Sequence, residues 1–356
     1  MRQNLRSKTY LILLCGLTQL FIAVSVNAQW PERPITLVVM YAPGGGTDTV
    51  LRTLAGEMSN ATGWRINVVN RPGASGTLAT NYVLNRPSDG YTLLGSSSFG
   101  KFARISGASN SKTWRDWYFM QAATNLASWA VRPDSPYQTF NDVVMAAKNS
   151  PGDLTISTSG SGGLWHEMAA SVAKAAGIEL RYVPYGSGQA ATLAGLNAEV
   201  DIAGGGVHEH IQFVNSGDLI PLQQTGFSDI VTSSGTVMPS LATFLPEIQQ
   251  LPPNGSYDVG IRRDTPIEIV RQVQAAFLAA VNSDVFRVIA DQQKLFIDIK
   301  VGEEADRRAA ELEAITATMF QELGIPGARS AEELELPEAA EFNEWWPPED
   351  YQPLLL

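Results

Sequence analysis

The sequence predicts an α/β protein of two lobes, each a mostly parallel sheet flanked by helices. Strands and helices alternate in two successive runs, the pattern of parallel strands joined by helical crossovers. Each run contains a glycine-rich turn that leads from a strand straight into a helix, at Gly44–Gly46 and at Ser159–Gly163. The length, 356 residues, suits two domains of ordinary size.

At the start, Arg2, Arg6 and Lys8 precede an apolar run from Tyr10 to Val26, and Val26-Asn27-Ala28 is a small-residue cleavage site. Residues 1–28 therefore read as a signal peptide, with a mature start near Gln29. The run is short and lacks a stop-transfer flank, so a spanning helix is the weaker reading. Cys15, the only cysteine, follows Leu14 rather than a small residue and reads as an apolar leader residue, not a lipid anchor. The mature chain then has no disulfide and no thiolate chemistry. Removing the three leader cations takes the formal net charge from −11 to −14. That acidity argues against nucleic acid and anionic lipid as partners.

Ile35 to Tyr41 is almost wholly apolar, as a strand buried on both faces should be. Gly44, Gly45 and Gly46 follow, and Thr47 or Asp48 is suited to cap the next helix. The first-turn N–H groups then point at the loop and form a cup for an anion. Nucleotide binding is disfavoured: Thr47-Asp48 stands where a P-loop has Lys-Ser/Thr, and Thr49 breaks a G-x-G-x-x-G spacing. A carboxylate needs only N–H and hydroxyl donors. The competing reading is a plain strand-to-helix turn. The first helix ends near Gly63, Ile66 to Asn70 is a strand, and Arg71–Gly76 turns into a helix that reaches Arg86. Pro87-Ser88-Asp89-Gly90 leads to a strand from Tyr91 to Gly95, which empties into Ser96-Ser97-Ser98. Hydroxyls thus gather beyond the carboxyl ends of two strands, where open α/β sheets bind ligands.

In the second run, Trp117–Ala123 and Ser128–Arg132 read as strands, and Thr139 with Asp142 makes a capping box for a helix to Asn149. Leu154–Thr158 is a strand, Leu164–Ala176 a helix, Leu180–Val183 a strand and Gln189–Ala198 a helix. Gly204-Gly205-Gly206 precedes a helix near Val207, and Ile220–Thr225 is a strand. The stretch Gly226–Ser256 reads as loop. After a strand at Tyr257–Arg262, Thr265-Pro266-Ile267-Glu268 looks like a strong helix start, with Thr265 as cap and proline at the first position. Ser283–Gln293, Phe296–Val301 and Glu303–Leu323 are expected as helix, strand and helix.

The motifs APGGGTD, NRPGASG, PSDGYTLL, VRPDSPYQTFNDVVMAAKNSPG, STSGSGGLWHE and VPYGSGQAATLAGLNAEVD, with the helix starting at Thr265, carry a resemblance. From about Trp30 to Ile325 the chain resembles the tripartite tricarboxylate transporter substrate-binding family, the TctC or Bug-type periplasmic receptors. The resemblance implies a type II-like, Venus-flytrap periplasmic binding fold, a small carboxylate ligand (tri-, di- or aromatic) and the membrane subunits of a transporter as partner. It also implies that the C-terminal part returns to the first lobe. The expected division is a signal peptide over 1–28, a first lobe of 29–127 plus 257–327, a second lobe of 128–256, and an acidic extension over 328–356. Trp345, Trp346 and Tyr351 in that extension point to docking on its own lobe, against a partner-binding role.

On this reading one end of the ligand meets Tyr41, Pro43, Gly44, Gly45, Gly46, Thr47, Asp48, Ser97 and Ser98. Thr158, Ser159, Gly162, His166 and Tyr185 close from the other lobe. His166 has an equal alternative as a backbone-satisfied loop residue, and Asp48 as a loop brace. Trp165 either packs beneath its loop, the favoured reading, or stacks on an aromatic ligand. His208 and His210 flank Glu209, but no third ligand stands at a recognisable metal spacing, so a surface position at a helix end is expected. Ser161 and Ser187 sit in Gly-Ser-Gly and not in a G-x-S-x-G elbow. No catalytic residue, metal or cofactor is expected, and the chain should be a periplasmic monomer that is not an enzyme. A receptor presenting its ligand to a membrane kinase, and more remotely a secreted hydrolase, are the rivals.

Overall fold

The computed structural model describes residues 30–245 and 255–356. The leader and its cleavage site lie outside the described residues, as do positions 246–254 of the loop-rich stretch. The chain divides into two compact units, Met1–Glu32 and Arg33–Leu356, and the second carries all the described strands.

The parallel part of the first sheet is β1 (Ile35–Val39), β2 (Ile66–Asn70) and β3 (Thr92–Ser97), with β1 central. The buried run of β1 fits that central place, since helices cover both faces of a parallel sheet. Helix α1 (Gly46–Thr62) joins β1 to β2, and α2 (Thr77–Leu84) joins β2 to β3. β4 (Trp117–Thr124) continues the sheet. It pairs antiparallel with both β12 (Ser256–Arg262) and β13 (Phe296–Lys300), and β12 is antiparallel to β3 as well. The six strands thus stand in the order β13-β4-β12-β3-β1-β2. The chain leaves this sheet after Thr124 and returns to it at Ser256.

The second lobe is built on β5 (Ala127–Val131), β6 (Thr155–Ser159), β7 (Arg181–Tyr185), β8 (Ala203–Gly206) and β9 (Ile220–Gln224), as a three-stranded sheet β8-β5-β9 and a two-stranded sheet β6-β7. β6 and β7 run parallel, a parallel bridge links Ile156 to Ile202 ahead of β8, and β5 lies antiparallel between β8 and β9. Its helices are α3 (Phe140–Asn149), α4 (Leu164–Ala176), α5 (Gly188–Leu196) and α6 (Val207–Ser216). The Thr139–Asp142 capping box forms, each residue bonding the other's backbone N–H. Within the expected loop, Ile230–Val231 and Val237–Met238 pair as a small antiparallel ladder, β10 and β11.

Helix α7 (Ile267–Val281) begins one residue later than its sequence signal. Pro266 itself takes the cap position, with no side-chain cap, and the buried Thr265 hydroxyl has no partner. The fixed φ of proline supplies the turn, so the threonine is not needed for it. Helix α8 (Asp284–Gln292) follows, and then α9 (Glu303–Glu322). Helix α9 is a long strut: it packs on the first sheet through Ala305, Ala309 and Leu312, while Ala314, Ala317 and Phe320 join a cluster with Leu164, Trp165 and Met168 of α4.

The C-terminal extension docks on this strut. Leu334, Leu336, Phe342 and Trp346 are buried in the same cluster, and the Trp345 ring meets Trp114 edge-on at 5.8 Å. The Tyr351 hydroxyl donates to Asp306 at 3.0 Å, and Arg263 donates to the Gln352 carbonyl at 2.7 Å. The aromatic residues of an otherwise acidic tail thus supply the buried area that holds it in place.

Candidate functional site

A cavity opens where β1, β3 and β12 of the first sheet face α4, α5 and α6 of the second lobe. It is lined by Tyr41, Gly45, Gly46, Thr47, Ser97, Asn125, Ser159, Leu164, Trp165, Ser187, Gly188, His208, Glu209 and Tyr257. Its volume is about 20 Å³, room for little more than one water. Any larger occupant requires the two lobes to part.

The cavity is bounded on one side by the start of α1. Gly45 is the cap residue, with extended backbone and no side-chain bond, so neither Thr47 nor Asp48 caps the helix as the sequence led us to expect. Asp48 turns back and accepts the Gly44 N–H at 3.0 Å, and it is held from the other side by Arg52 (2.6 Å) and Asn70 (2.8 Å). Burial pushes its carboxyl up, but these bonds outweigh burial and leave it below the usual carboxylate range. Asp48 is thus a brace for the glycine loop. The first-turn amides of α1 have no acceptor within the helix and lie beside the cavity, at the positive end of the helix dipole.

On the facing side the starts of α5 and α6 converge. Glu209 fills a niche made of glycine: a Cβ on Gly188 would lie 1.8 Å from its carboxylate, and one on Gly205 would lie 3.0 Å away. Its Oε2 accepts the Gly206 N–H at 2.9 Å. Burial pushes Glu209 up, while His208, the Gly206 amide and His210 outweigh this and keep it below its ordinary range. The His208 ring lies against Gly46 of α1, and its Nε2 is 2.9 Å from the Tyr257 hydroxyl. His210 faces away, bonding Ser128 at 2.6 Å through Nδ1. Burial drives its pKa down to about 4.

These histidines correct the sequence reading. His208 and His210 are not at a surface helix end: the side chain of His208 is 2% exposed and His210 is 0% exposed. The glycine run Gly204–Gly206, which ends β8 and leads straight into α6, was the available signal. Polar residues just after it are carried inward with the helix start.

Of the expected contacts, Tyr41, Gly45, Gly46, Thr47, Ser97 and Ser159 line the cavity together. The others stand apart from that lining. Pro43 and Gly44 belong to the loop that Asp48 braces. The Ser98 hydroxyl is buried without a partner, and Thr158 bonds within its own turn, to the Gly160 carbonyl at 3.4 Å. His166 Nδ1 accepts the Gly162 N–H at 2.9 Å and its ring lies 4.6 Å from that of Tyr182, so it holds the second glycine loop. The Tyr185 hydroxyl donates to Glu199 at 3.1 Å. Trp165 is buried and also walls the cavity, 5.9 Å from the His208 ring. Asn125, Leu164, Ser187, Gly188, His208, Glu209 and Tyr257 were not expected. Among the described residues no group of three or more His, Cys, Asp or Glu side chains is placed to hold a metal.

The architecture is that of the two-lobed α/β periplasmic binding fold. The protein titled in its solved structure as periplasmic binding protein BugD superposes with a TM-score of 0.73, over 83% of this chain and 99% of that one, at 21% identity. A structure of R. palustris Rpa4515 with adipate superposes with a TM-score of 0.72, over 83% and 99%, at 22% identity. The family model described as tripartite tricarboxylate transporter family receptor, TctC, matches residues 50–295, well over half of the chain. The chain therefore belongs to that family. Among its relatives by sequence are a UPF0065 protein in the tcbD-tcbE intergenic region of Pseudomonas sp. (strain P51), 34% identical over 182 residues, and the protein BugT of Bordetella pertussis, 29% identical over 197 residues. The matched stretches are 48% and 54% of this chain and 53% and 58% of the relatives, so the chain spans about half the length of the curated relatives it matches.

Proposed function

We propose that the protein is a periplasmic solute-binding receptor, which captures a small carboxylate between its lobes and delivers it to the membrane subunits of a tripartite tricarboxylate-type transporter. The observation that carries this reading is the cavity at the start of α1, walled by residues of both lobes, in a chain of the receptor family. The amides of Gly45, Gly46 and Thr47 and the hydroxyls of Thr47 and Ser97 offer donors to a carboxylate from one lobe. Ser159, Ser187 and Trp165 approach from the other. A ligand that touches both lobes stabilises the closed form because only that form makes both sets of contacts. Residues 1–28 then serve as the export signal. A solved structure of like fold was obtained with adipate and another, MatC of Rhodopseudomonas palustris, with malate, each a small carboxylate.

The test is thermal denaturation of the protein from Gln29 onward in the presence of mono-, di-, tri-, amino- and aromatic carboxylates. A ligand at 100 times its Kd adds about 2.7 kcal/mol, a rise of several degrees for a protein of this size. A panel without a single shift, on folded protein, would rule out carboxylate capture.

A further inference from the structure

Beyond the general class of ligand, the cavity carries a sign of charge. Among the described residues its lining includes no lysine or arginine. Its one carboxylate, Glu209, is 6% exposed at the side chain. A ligand carboxylate on the α1 amides is therefore held without a lysine or arginine, and any second ligand group that reaches Glu209 meets a buried anion at close range. His208 Nε2 lies 3.6 Å from the Glu209 carboxylate and offsets part of its burial, while its shorter contact, 2.9 Å, is with the Tyr257 hydroxyl. The acceptor capacity is not confined to Glu209. Asn125, 1% exposed, also lines the cavity, and its Oδ1 has no hydrogen-bond partner. Buried acceptors without donors are costly to leave unmet.

Resting on the receptor reading above, we infer that Glu209 selects the ligand's second end, and that the site takes an amino carboxylate: an anionic carboxylate toward Gly45–Thr47 and a cationic ammonium toward Glu209 and Asn125. A di- or tricarboxylate places a second anion against Glu209 with no lysine or arginine in the described lining to offset it, and like charges brought together in a desolvated site repel strongly. An ammonium offers donors for both acceptors. The geometry of Glu209 supports a fixed role: the glycine niche admits no larger residue at positions 188 and 205, and the Gly206 amide holds the carboxylate in place.

The inference is tested with ligand pairs matched in length, 4-aminobutyrate against glutarate and 3-aminopropanoate against succinate. Each is titrated calorimetrically into the wild-type protein and into Glu209→Gln, which keeps an oxygen for the Gly206 N–H. The wild type should bind the amino carboxylate of a pair at least about tenfold more tightly than the diacid, and Glu209→Gln should move that ratio by at least about tenfold toward the diacid. A wild type that binds glutarate or succinate as tightly as its amino partner overturns the inference and leaves carboxylate capture standing. So does a ratio unchanged by Glu209→Gln. If neither member of any pair binds while a carboxylate of the thermal panel that lacks an ammonium does, the inference is overturned; if no carboxylate binds at all, the receptor reading itself fails. Should the variant not fold, the wild-type ratio alone still decides.

Discussion

Lys101 Nζ lies 2.9 Å from the carboxylate of Glu167, with both side chains 1% exposed. Lys101 follows β3 in the first lobe, and Glu167 sits in the first turn of α4 in the second. Thr316 of α9 receives the same ammonium at 2.5 Å, so three segments meet on one buried charge. Burial lowers the Lys101 pKa, and the Glu167 carboxylate pulls it back up. Breaking such a pair leaves an uncompensated buried charge, at about 3–5 kcal/mol. Lys101→Met should therefore destabilise the protein by that amount in urea denaturation. The double variant with Glu167→Leu should recover most of the loss, because an apolar pair leaves no charge unpaired.

Gly195 offers a test of packing against propensity. It lies in α5, where alanine would be about 1 kcal/mol better by helix propensity alone. A Cβ there would stand 2.5 Å from Ala203 Cβ and 3.0 Å from Ala203 Cα. Backbone of β8 cannot yield as a flexible side chain can, and overpacking costs about 1–3 kcal/mol. Gly195→Ala should lower the unfolding free energy, whereas an isolated peptide of this helix should gain helicity from the same change.

Asp258 provides the pH dependence. It is fully buried next in sequence to the cavity-lining Tyr257, accepts the Phe99 N–H at 2.7 Å, and has its pKa pushed up to about 7 by burial. The folded state then holds a proton that the unfolded state releases near pH 4, so this group's contribution is greatest below pH 4 and is lost as pH rises through 7. His210 works in the opposite direction, with its pKa lowered to about 4, so the comparison must isolate the aspartate. Relative to Asp258→Asn, the wild type should lose melting temperature as pH is raised from about 5 to about 8. A difference that is constant across this range would remove Asp258 as the cause.

The docked extension contributes buried aromatic area, and its loss should be felt by the whole protein. Deleting Ala328–Leu356 uncovers Trp114 and the Phe320 face of α9 and should lower the melting temperature. Trp346→Ala alone should cost about 3 kcal/mol, at the low end for truncating a buried aromatic. If deletion leaves the melting temperature unchanged and only transporter coupling is lost, the extension is a partner-binding element.

Most of the order of elements was legible in the sequence because strands such as Ile35–Val39 are short apolar runs and helices such as Ile267–Val281 have an apolar stripe, whereas the glycine strand Ala203–Gly206 and the ladder of Ile230–Val231 with Val237–Met238 carry no such signal. Ile35–Val39 with its three glycines, and Thr139 with Asp142, declare themselves within short stretches of local sequence. The antiparallel entry of β12 and β13 did not, because pairing direction depends on a return of the chain from more than 100 residues away. The same separation explains the site. Tyr41, Gly45 and Ser97 stand at junctions that local sequence reveals, whereas Tyr257 and Glu209 reach the cavity only once both lobes are built. His208-Glu209-His210 read as surface because charged and polar residues at a helix start are usually solvated; the three glycines ahead of them draw this start inward instead.

The central claim is that the amides at the start of α1 hold the ligand. Gly45 is the place to test it, since its backbone is ordinary and an added Cβ would meet only the Ala42 carbonyl at 3.6 Å and Ser187 at 3.7 Å. An aspartate there should be tolerated by the fold and should put a negative charge into the cup. The measurement is calorimetric titration of the tightest carboxylate into wild type and Gly45→Asp, with melting curves as a check on folding. The account predicts binding by the wild type and a loss of affinity of at least about a hundredfold in the folded variant. Equal affinity in the two proteins would contradict it.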